Sequence, residues 1–214
     1  MAKNKFYAVR VGRTPGVYNT WAECESQVKQ YPGAIFKSFA SEDDAWEFVD
    51  GIDEGGDVVC DGVVAYVDGS FDVETFTYAY GVVILNNGRE THLSDVGNDA
   101  ELAQMRNVAG ELMGAMAAME YARDNGVEEM TIVHDYEGIS QWPTGRWKCN
   151  KRGTQEYKKF YDEISESVKI KFKKCEGHSG NYYNDLADAL AKRELGIKIK
   201  KSLEDYILAV ENED

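Results

Sequence analysis

The chain has 214 residues, 38 of them Asp or Glu against 24 Lys or Arg, for a formal net charge of −14. So acidic a balance argues against the uniformly basic surface of an ordinary nucleic-acid binder, and 43% hydrophobic with 12% aromatic residues exclude a disordered chain. The length fits one large domain, or an ordinary domain with a small module beside it. No apolar run approaches the roughly 18–20 residues that span a bilayer. The opening stretch to Arg13 turns charged too soon for the apolar core of a signal peptide. No membrane association and a cytoplasmic location are therefore expected. Cys24, Cys60, Cys149 and Cys175 lie far apart with no CxxC pair, which reads as reduced thiols rather than zinc ligands or disulfides.

In chain order, Phe6–Val11 alternates as a strand and Arg13–Gly16 makes a turn. Thr20 with Glu23 forms a capping box for a helix reaching about Gln30. Ala34–Phe39 reads as a second strand, and Ser41 opens a short helix ending near Val49. The acidic, glycine-containing Asp50–Asp57 has neither the periodicity nor the length of an element. It marks a linker, residues 50–61, between a module of residues 1–49 and a larger domain of residues 62–196.

That domain opens with strands at Val63–Gly69, Tyr78–Leu85 and Glu90–Val96, the last two joined by an Asn86-Asn87-Gly88 hairpin turn. A long helix is predicted from about Ala100 to Asn125, closed by Gly126. Then follow a strand Met130–His134, a short helix near Glu137, a helix Thr154–Ser167, a strand Val168–Lys174 and a helix Asn184–Leu195. Residues 197–214 form a tail with a short terminal helix. A strand meander followed by alternating helices and strands predicts an α/β fold, a mixed sheet flanked by helices, preceded by a small α+β domain.

Charge is unevenly spread. Residues 1–40 hold six bases against two acids, and residues 146–174 hold ten bases against four acids. Residues 41–62 between them carry nine acids and no base. Two local basic patches therefore lie on either side of an acidic middle, and nucleic acid is not excluded by the net charge.

Four acids sit on apolar elements rather than in solvated runs. Asp68 ends the apolar strand that starts at Val63, and Asp135 ends the strand Thr131–His134, so the two converge if the strands are neighbours. On the long helix Val108, Leu112, Met116 and Met119 mark the main apolar stripe; Glu111 lies off it, in a line with Asn107, Ala115, Ala118 and Ala122. Asp188 lies on the last helix of the domain among mostly apolar neighbours. Singly, each reads as a turn, a cap or a solvated charge. Packed together, such carboxylates repel one another unless a cation neutralises them. A hard divalent metal with oxygen ligands is the natural partner, and two such ions suit phosphodiester hydrolysis.

Tyr66-Val-Asp68-Gly-Ser70, Arg106-Asn-Val-Ala-Gly-Glu111, Ile132-Val-His-Asp135 and Gly177-His-Ser-Gly180, followed by Asn184 and Asp188, resemble the ordered motif series of type 1 ribonuclease H over about residues 62–196. The resemblance implies a ribonuclease H-like fold with a mixed five-stranded sheet. It also implies endonucleolytic cleavage of the RNA strand of RNA–DNA hybrids by two Mg²⁺ or Mn²⁺ ions, leaving 5′-phosphate and 3′-hydroxyl ends. Carried over by motif, Asp68, Glu111, Asp135 and Asp188 hold the metals, with Asp185 competing for the last role. His178 assists proton transfer or product departure. Asn107 meets the minor groove and a ribose 2′-hydroxyl, and Ser70 and Asn184 belong to the substrate-binding set. Arg106 stands where many relatives have Thr, and the short Arg146–Arg152 segment implies that the basic protrusion some relatives carry is truncated or absent.

Phe6–Arg10, Gly16–Tyr18, Thr20-Trp21, Phe36–Phe39 and Asp44–Phe48 resemble the viroplasmin-like, hybrid-binding domain found ahead of many type 1 ribonucleases H. That resemblance makes Tyr7, Trp21, Phe36 and Lys37 duplex contacts, with Ser38 replacing one of a common Lys pair. Without it, three aromatics in so small a module read as core. The partner implied is an RNA–DNA hybrid, with double-stranded RNA a further ligand of the N-terminal domain, and the protein is expected to be a monomer. The competing reading is a non-catalytic hybrid- or double-stranded-RNA-binding protein on a degenerate ribonuclease H fold.

Overall fold

The computed structural model describes residues 5–31, 34–49, 62–175 and 181–211. The proposed linker 50–61 and His178 with its Gly177–Gly180 motif lie outside the described residues. By internal packing the chain divides into two compact units, Met1–Val59 with Lys200–Asp214, and Cys60–Ile199.

In the first unit, β1 (Phe6–Val11) lies between β2 (Gly16–Tyr18) and β3 (Ile35–Phe39), antiparallel to both. Helix α1 (Trp21–Val28) begins at the expected capping box: the Glu23 amide donates to Thr20 Oγ1 at 3.3 Å and the Thr20 amide to Glu23 Oε2 at 3.1 Å. Arg13 closes the other end of α1, donating to the carbonyls of Ser26 at 3.1 Å and Lys29 at 2.9 Å. Strand alternation splits the module into two small cores. Val9 packs with Cys24 and Val28 of α1, and Ala8 and Phe39 pack with Ala45 and Phe48 of α2 (Glu42–Val49). Strand β2 falls just after the expected turn. Three residues with one glycine carry too little periodicity to be seen in advance.

The second unit is built on a five-stranded sheet, ordered β6 (Arg89–Gly97), β5 (Thr77–Asn86), β4 (Val63–Asp72), β7 (Glu129–His134), β8 (Lys169–Lys174). The β4–β5 and β5–β6 pairs are antiparallel, β4–β7 and β7–β8 parallel. Asn87 and Gly88 both take positive φ, 50° and 80°, as a tight hairpin requires. Edge strand β8 alternates Lys with Ile and Phe, and Lys169 and Lys171 pair across to Glu129, so the edge is charged.

One face of the sheet carries α3 (Asn107–Asp124), α4 (Gly138–Gln141) and α5 (Arg152–Ile164), joined through Val63, Ala65, Val67, Leu112, Ile132, Ile139 and Tyr157. Helix α6 (Tyr182–Glu194) packs on β4 and β5, where the Tyr66 and Tyr183 rings lie 5.2 Å apart. A final helix, α7, spans Lys201–Glu211.

The long helix expected from Ala100 is broken. A 3₁₀ turn (Leu102–Met105) ends at Arg106, at φ 55° and ψ −132°, and α3 starts only at Asn107. Helical propensity runs through the junction, but the segment is anchored sideways. Asp99 accepts from the amides of Glu101 and Leu102 at 2.9 and 3.0 Å, and from Arg152 at 2.5 Å. The packed side of α3 also differs from expectation. Ala115, Ala118 and Ala122 are fully buried with Met119, whereas Val108 and Met116 are only partly buried. Small side chains let α3 approach the strands closely, which is how Glu111 comes to face the sheet.

Candidate active site

In the parallel β4–β7 pair, Tyr66 lies opposite Val133. Asp68 and Asp135 each follow two residues later, at the same level on neighbouring strands. Helix α3 brings Glu111 to them through two glycines. A Cβ on Gly69 would strike the Asn107 carbonyl and the Glu111 amide, and one on Gly110 would strike the Ala79 carbonyl. Helix α6 docks the same way, since a Cβ on Gly81 would meet the Ala187 carbonyl and, at 2.8 Å, the Ala191 amide. Asn184, Asp188 and Lys192 then form one stripe at i, i+4 and i+8. Asn184 Nδ2 donates to Asp68 Oδ2 at 3.4 Å, and Lys192 Nζ to Asp188 Oδ2 at 2.6 Å. Asp185 lies about 60° around the helix from Asp188.

The electrostatics tie these acids together. Asp68 is 8% exposed and Glu111 6%. Burial first, then the charges of Asp135 and Asp188, push the Asp68 carboxyl up to about 8, against the Gly69 amide and Lys192, which pull it down. Burial, Asp135 and Asp68 likewise push Glu111 up to about 8. Oε2 of Glu111 is buried without any hydrogen-bond partner. Asp188, not Asp185, figures among the charges that act on Asp68.

An all-oxygen set with an orphaned carboxylate oxygen fits a hard divalent cation. Among the described residues no group of three or more His, Cys, Asp or Glu side chains is placed so as to hold a metal ion. Mg²⁺ usually takes one or two carboxylates and completes its shell with water and phosphate oxygens.

The structure also shows neighbours that sequence reasoning passed over. Lys192 is a positive charge set against the acids at i+4 from Asp188; that spacing was its only signal. His134 Nδ1 lies 2.9 Å from the Tyr136 carbonyl, bracketing Asp135, and burial pushes its basicity down. The Tyr136 hydroxyl is pushed up by burial and by Glu111, and its ring joins Trp142 and Trp147 at centroid distances of 5.7 and 6.4 Å. Ser70 is buried on β4, and Asn107 is exposed at the start of α3.

In the N-terminal unit, Tyr7, Trp21 and Phe36 are a surface row. Ring centroids are 5.8 Å apart for Tyr7–Trp21 and 5.7 Å for Trp21–Phe36, and Trp21 and Phe36 are 45% and 43% exposed. Ser38 pairs with Tyr7 and so shares their face. Lys37 points to the other face, 5.3 Å from the Phe39 ring centroid. The basic segment 146–174 is largely spoken for. Arg152 pairs with Asp99 and Glu101, Lys158 with Asp162, Lys159 with Glu163, Lys169 and Lys171 with Glu129, and Lys174 with Glu137.

A mixed sheet in the order found, with acids at the shared end of its parallel strands and a helix bringing a third, defines the ribonuclease H class. The family model described as RNase H matches residues 61–196, and one described as the ribonuclease H1 N-terminal domain matches residues 5–49. The chain belongs to the ribonuclease H family and is a ribonuclease H with that N-terminal domain. It is 25% identical to ribonuclease H1 of Homo sapiens, over 87% of this chain and 88% of the human protein. Ribonuclease H of Legionella pneumophila is 30% identical over 64% of this chain and 96% of its own length. Among solved structures, ribonuclease H1 of Halobacterium salinarum superposes with a TM-score of 0.53 at 23% identity, covering 63% of this chain and 97% of that one. A ribonuclease H1 solved in complex with an RNA/DNA hybrid gives 0.50 at 18% identity, covering 62% and 99%.

Proposed function

We propose that the protein hydrolyses the RNA strand of RNA–DNA hybrids, adding water across the P–O3′ bond to leave 5′-phosphate and 3′-hydroxyl ends. The observation that carries this reading is the electrostatically coupled set of carboxyls, Asp68 and Glu111 buried beside the half-buried Asp135 and Asp188. Two of its members cannot ionise cheaply without a cation, and it lies in a chain of the ribonuclease H family. Two Mg²⁺ ions, or Mn²⁺, held by these four acids would supply an activated water and neutralise the leaving oxygen.

The chain's own residues do the rest. Asn184 and the Gly69 amide orient Asp68, and Lys192 holds Asp188. Asn107, exposed at the start of α3, reads the ribose 2′-hydroxyl that separates RNA from DNA. Ser70 supports the substrate from β4, and His178 assists proton transfer or product departure. Residues 1–49 capture the duplex through Tyr7, Trp21 and Phe36, stacked against sugars, whereas Lys37 lies on the opposite face of β3 and does not join them; double-stranded RNA is a second ligand of the aromatic face. We read the enzyme as a cytoplasmic monomer; among the described residues no helix is long and apolar enough to cross a membrane.

The test is a labelled RNA–DNA hybrid, double-stranded RNA and a DNA duplex, each incubated with and without Mg²⁺. Metal-dependent cutting of the hybrid's RNA strand alone is expected. Asp68→Asn and Asp135→Asn are expected to lose turnover by at least about 10³-fold with hybrid binding retained. Binding without metal-dependent turnover in the wild type would instead make the protein a non-catalytic binder.

A further inference from the structure

Cys175 has no part in the hydrolysis proposed for this protein, yet its side chain is tied to an acid of the site. The backbone leaves β8 still paired to β7, the Cys175 amide donating to the His134 carbonyl at 2.9 Å. That holds Cys175, half-buried, at the end of the sheet where Asp135 follows His134. From there Cys175 Sγ donates to Asn184 Oδ1 at 3.4 Å, and Asn184 Nδ2 donates to Asp68 Oδ2 at 3.4 Å. Asn184 is 3% exposed in the first turn of α6, where its backbone amide donates to Asn181 Oδ1 at 3.1 Å. The relay thus links β8, α6 and β4. It ends among acids where Glu111 Oε2 is buried without a hydrogen-bond partner.

The relay has a direction. An ionised carboxylate only accepts, so Asp68 needs the NH₂ end of the Asn184 amide. Turned over, the amide would set its oxygen against a carboxylate oxygen, and sulfur is too weak an acceptor to compensate at the other end. A thiol hydrogen on Oδ1 favours the orientation in which Nδ2 donates. In a buried network the wrong orientation is costly, and carboxylates that bind metal depend on such neighbours for their own aim.

We propose that Cys175 is a positioning residue for the metal-binding acids: its thiol holds the Asn184 amide with Nδ2 toward Asp68, and so fixes that carboxylate for a divalent cation. The consequence for turnover rests on the hydrolysis reading; the hold on Asn184 does not.

The test uses the full-length protein with Cys175→Ala, Cys175→Ser, Asn184→Ala and the double variant Cys175→Ala with Asn184→Ala. Alanine and serine both remove the bulk of sulfur, so lost packing affects both, whereas only alanine lacks the donor. Hydrogen exchange of the Asn184 side-chain amide is followed by NMR in EDTA, Mg²⁺ affinity by NMR titration, and kcat and KM on an RNA–DNA hybrid. For Cys175→Ala, exchange should quicken about tenfold, Mg²⁺ Kd should rise about tenfold, and kcat should fall about tenfold with KM within about twofold of wild type. Cys175→Ser should stay within about threefold of wild type throughout. On the Asn184→Ala background, Cys175→Ala should change Kd and kcat by less than about twofold, because the group it acts through is gone. Cys175→Ala indistinguishable from wild type, a loss in Cys175→Ser as large as in Cys175→Ala, or an undiminished effect on the Asn184→Ala background would each overturn the proposal. A wild-type protein that neither binds Mg²⁺ nor cuts hybrid would remove the hydrolysis reading, while the amide exchange would still decide whether Cys175 holds Asn184.

Discussion

Asp68 and Glu111 are carboxyls that folding places where ionisation is costly. Each would titrate near 4 in an unfolded chain, and burial beside Asp135 raises both to about 8. The native state therefore holds protons that the unfolded chain has released across this interval. The stabilisation it gains by doing so is complete below about pH 4 and is lost as pH rises through about 8. Without divalent metal, the melting temperature is expected to fall by several degrees between pH 5 and pH 9, and Mg²⁺ should restore it at the alkaline end. Glu111→Gln should remove part of the slope and also cost activity. Thermal melts in EDTA across that pH range check this, and a profile equally steep in Glu111→Gln would contradict it. At this scale the four acids were legible because each interrupts an apolar element. The choice of Asp188 over Asp185 came from the Asn184-x-x-x-Asp188 spacing of the resemblance, whereas the pairing of Lys192 with Asp188 was not singled out. It depends on which side of α6 meets the sheet, and the close approach there is set by Gly81 of β5, whose missing side chain leaves no mark in a periodicity.

Elements were read more reliably than their junctions. The β5–β6 hairpin and the α1 capping box follow from local turn and cap chemistry and appear where expected. The break at Arg106 does not follow from local chemistry, because it is imposed by Asp99 and Arg152, 53 residues apart in sequence. The element that most directly places an acid of the candidate site is α3, seated by the Gly69–Gly110 approach. Gly110→Ala would drive a methyl into the Ala79 carbonyl and lever the Glu111 turn away from Asp68. A loss of about 1–3 kcal/mol is expected, with a fall in kcat larger than any change in KM. Chemical denaturation and steady-state kinetics report the two effects separately. In the N-terminal sheet, alternation places Ser38, not Lys37, on the face of Tyr7 and Phe36. Ser38→Lys should therefore set a cation beside the aromatic row, tighten hybrid binding several-fold, and steepen the plot of log K against log salt by about 0.9. An unchanged slope would mean that duplex does not lie on that face.

For the whole molecule, the −14 net charge conceals how little cation is available for phosphate. The segment 146–174 looked basic, yet six of its ten bases form ion pairs with nearby acids. Arg146, Lys148 and Lys151 have no ion-pair partner among the described residues. Counting charges along a sequence cannot separate these cases, because the partners Asp99, Glu129 and Glu137 come from outside the segment. The catalytic unit should therefore hold hybrid weakly and lean on the N-terminal unit for capture. The Legionella ribonuclease H consists almost wholly of the matching domain, so the catalytic part can be expected to fold without residues 1–49. Removing those residues should weaken hybrid binding in EDTA by roughly tenfold or more, while kcat at saturating hybrid stays within about twofold. The salt slope that remains should be shallower than that of the full chain. Binding measured from low to high salt for both proteins decides it. A slope in the shortened protein as steep as in the full chain would mean that the paired lysines exchange their carboxylate partners for phosphate when the duplex arrives.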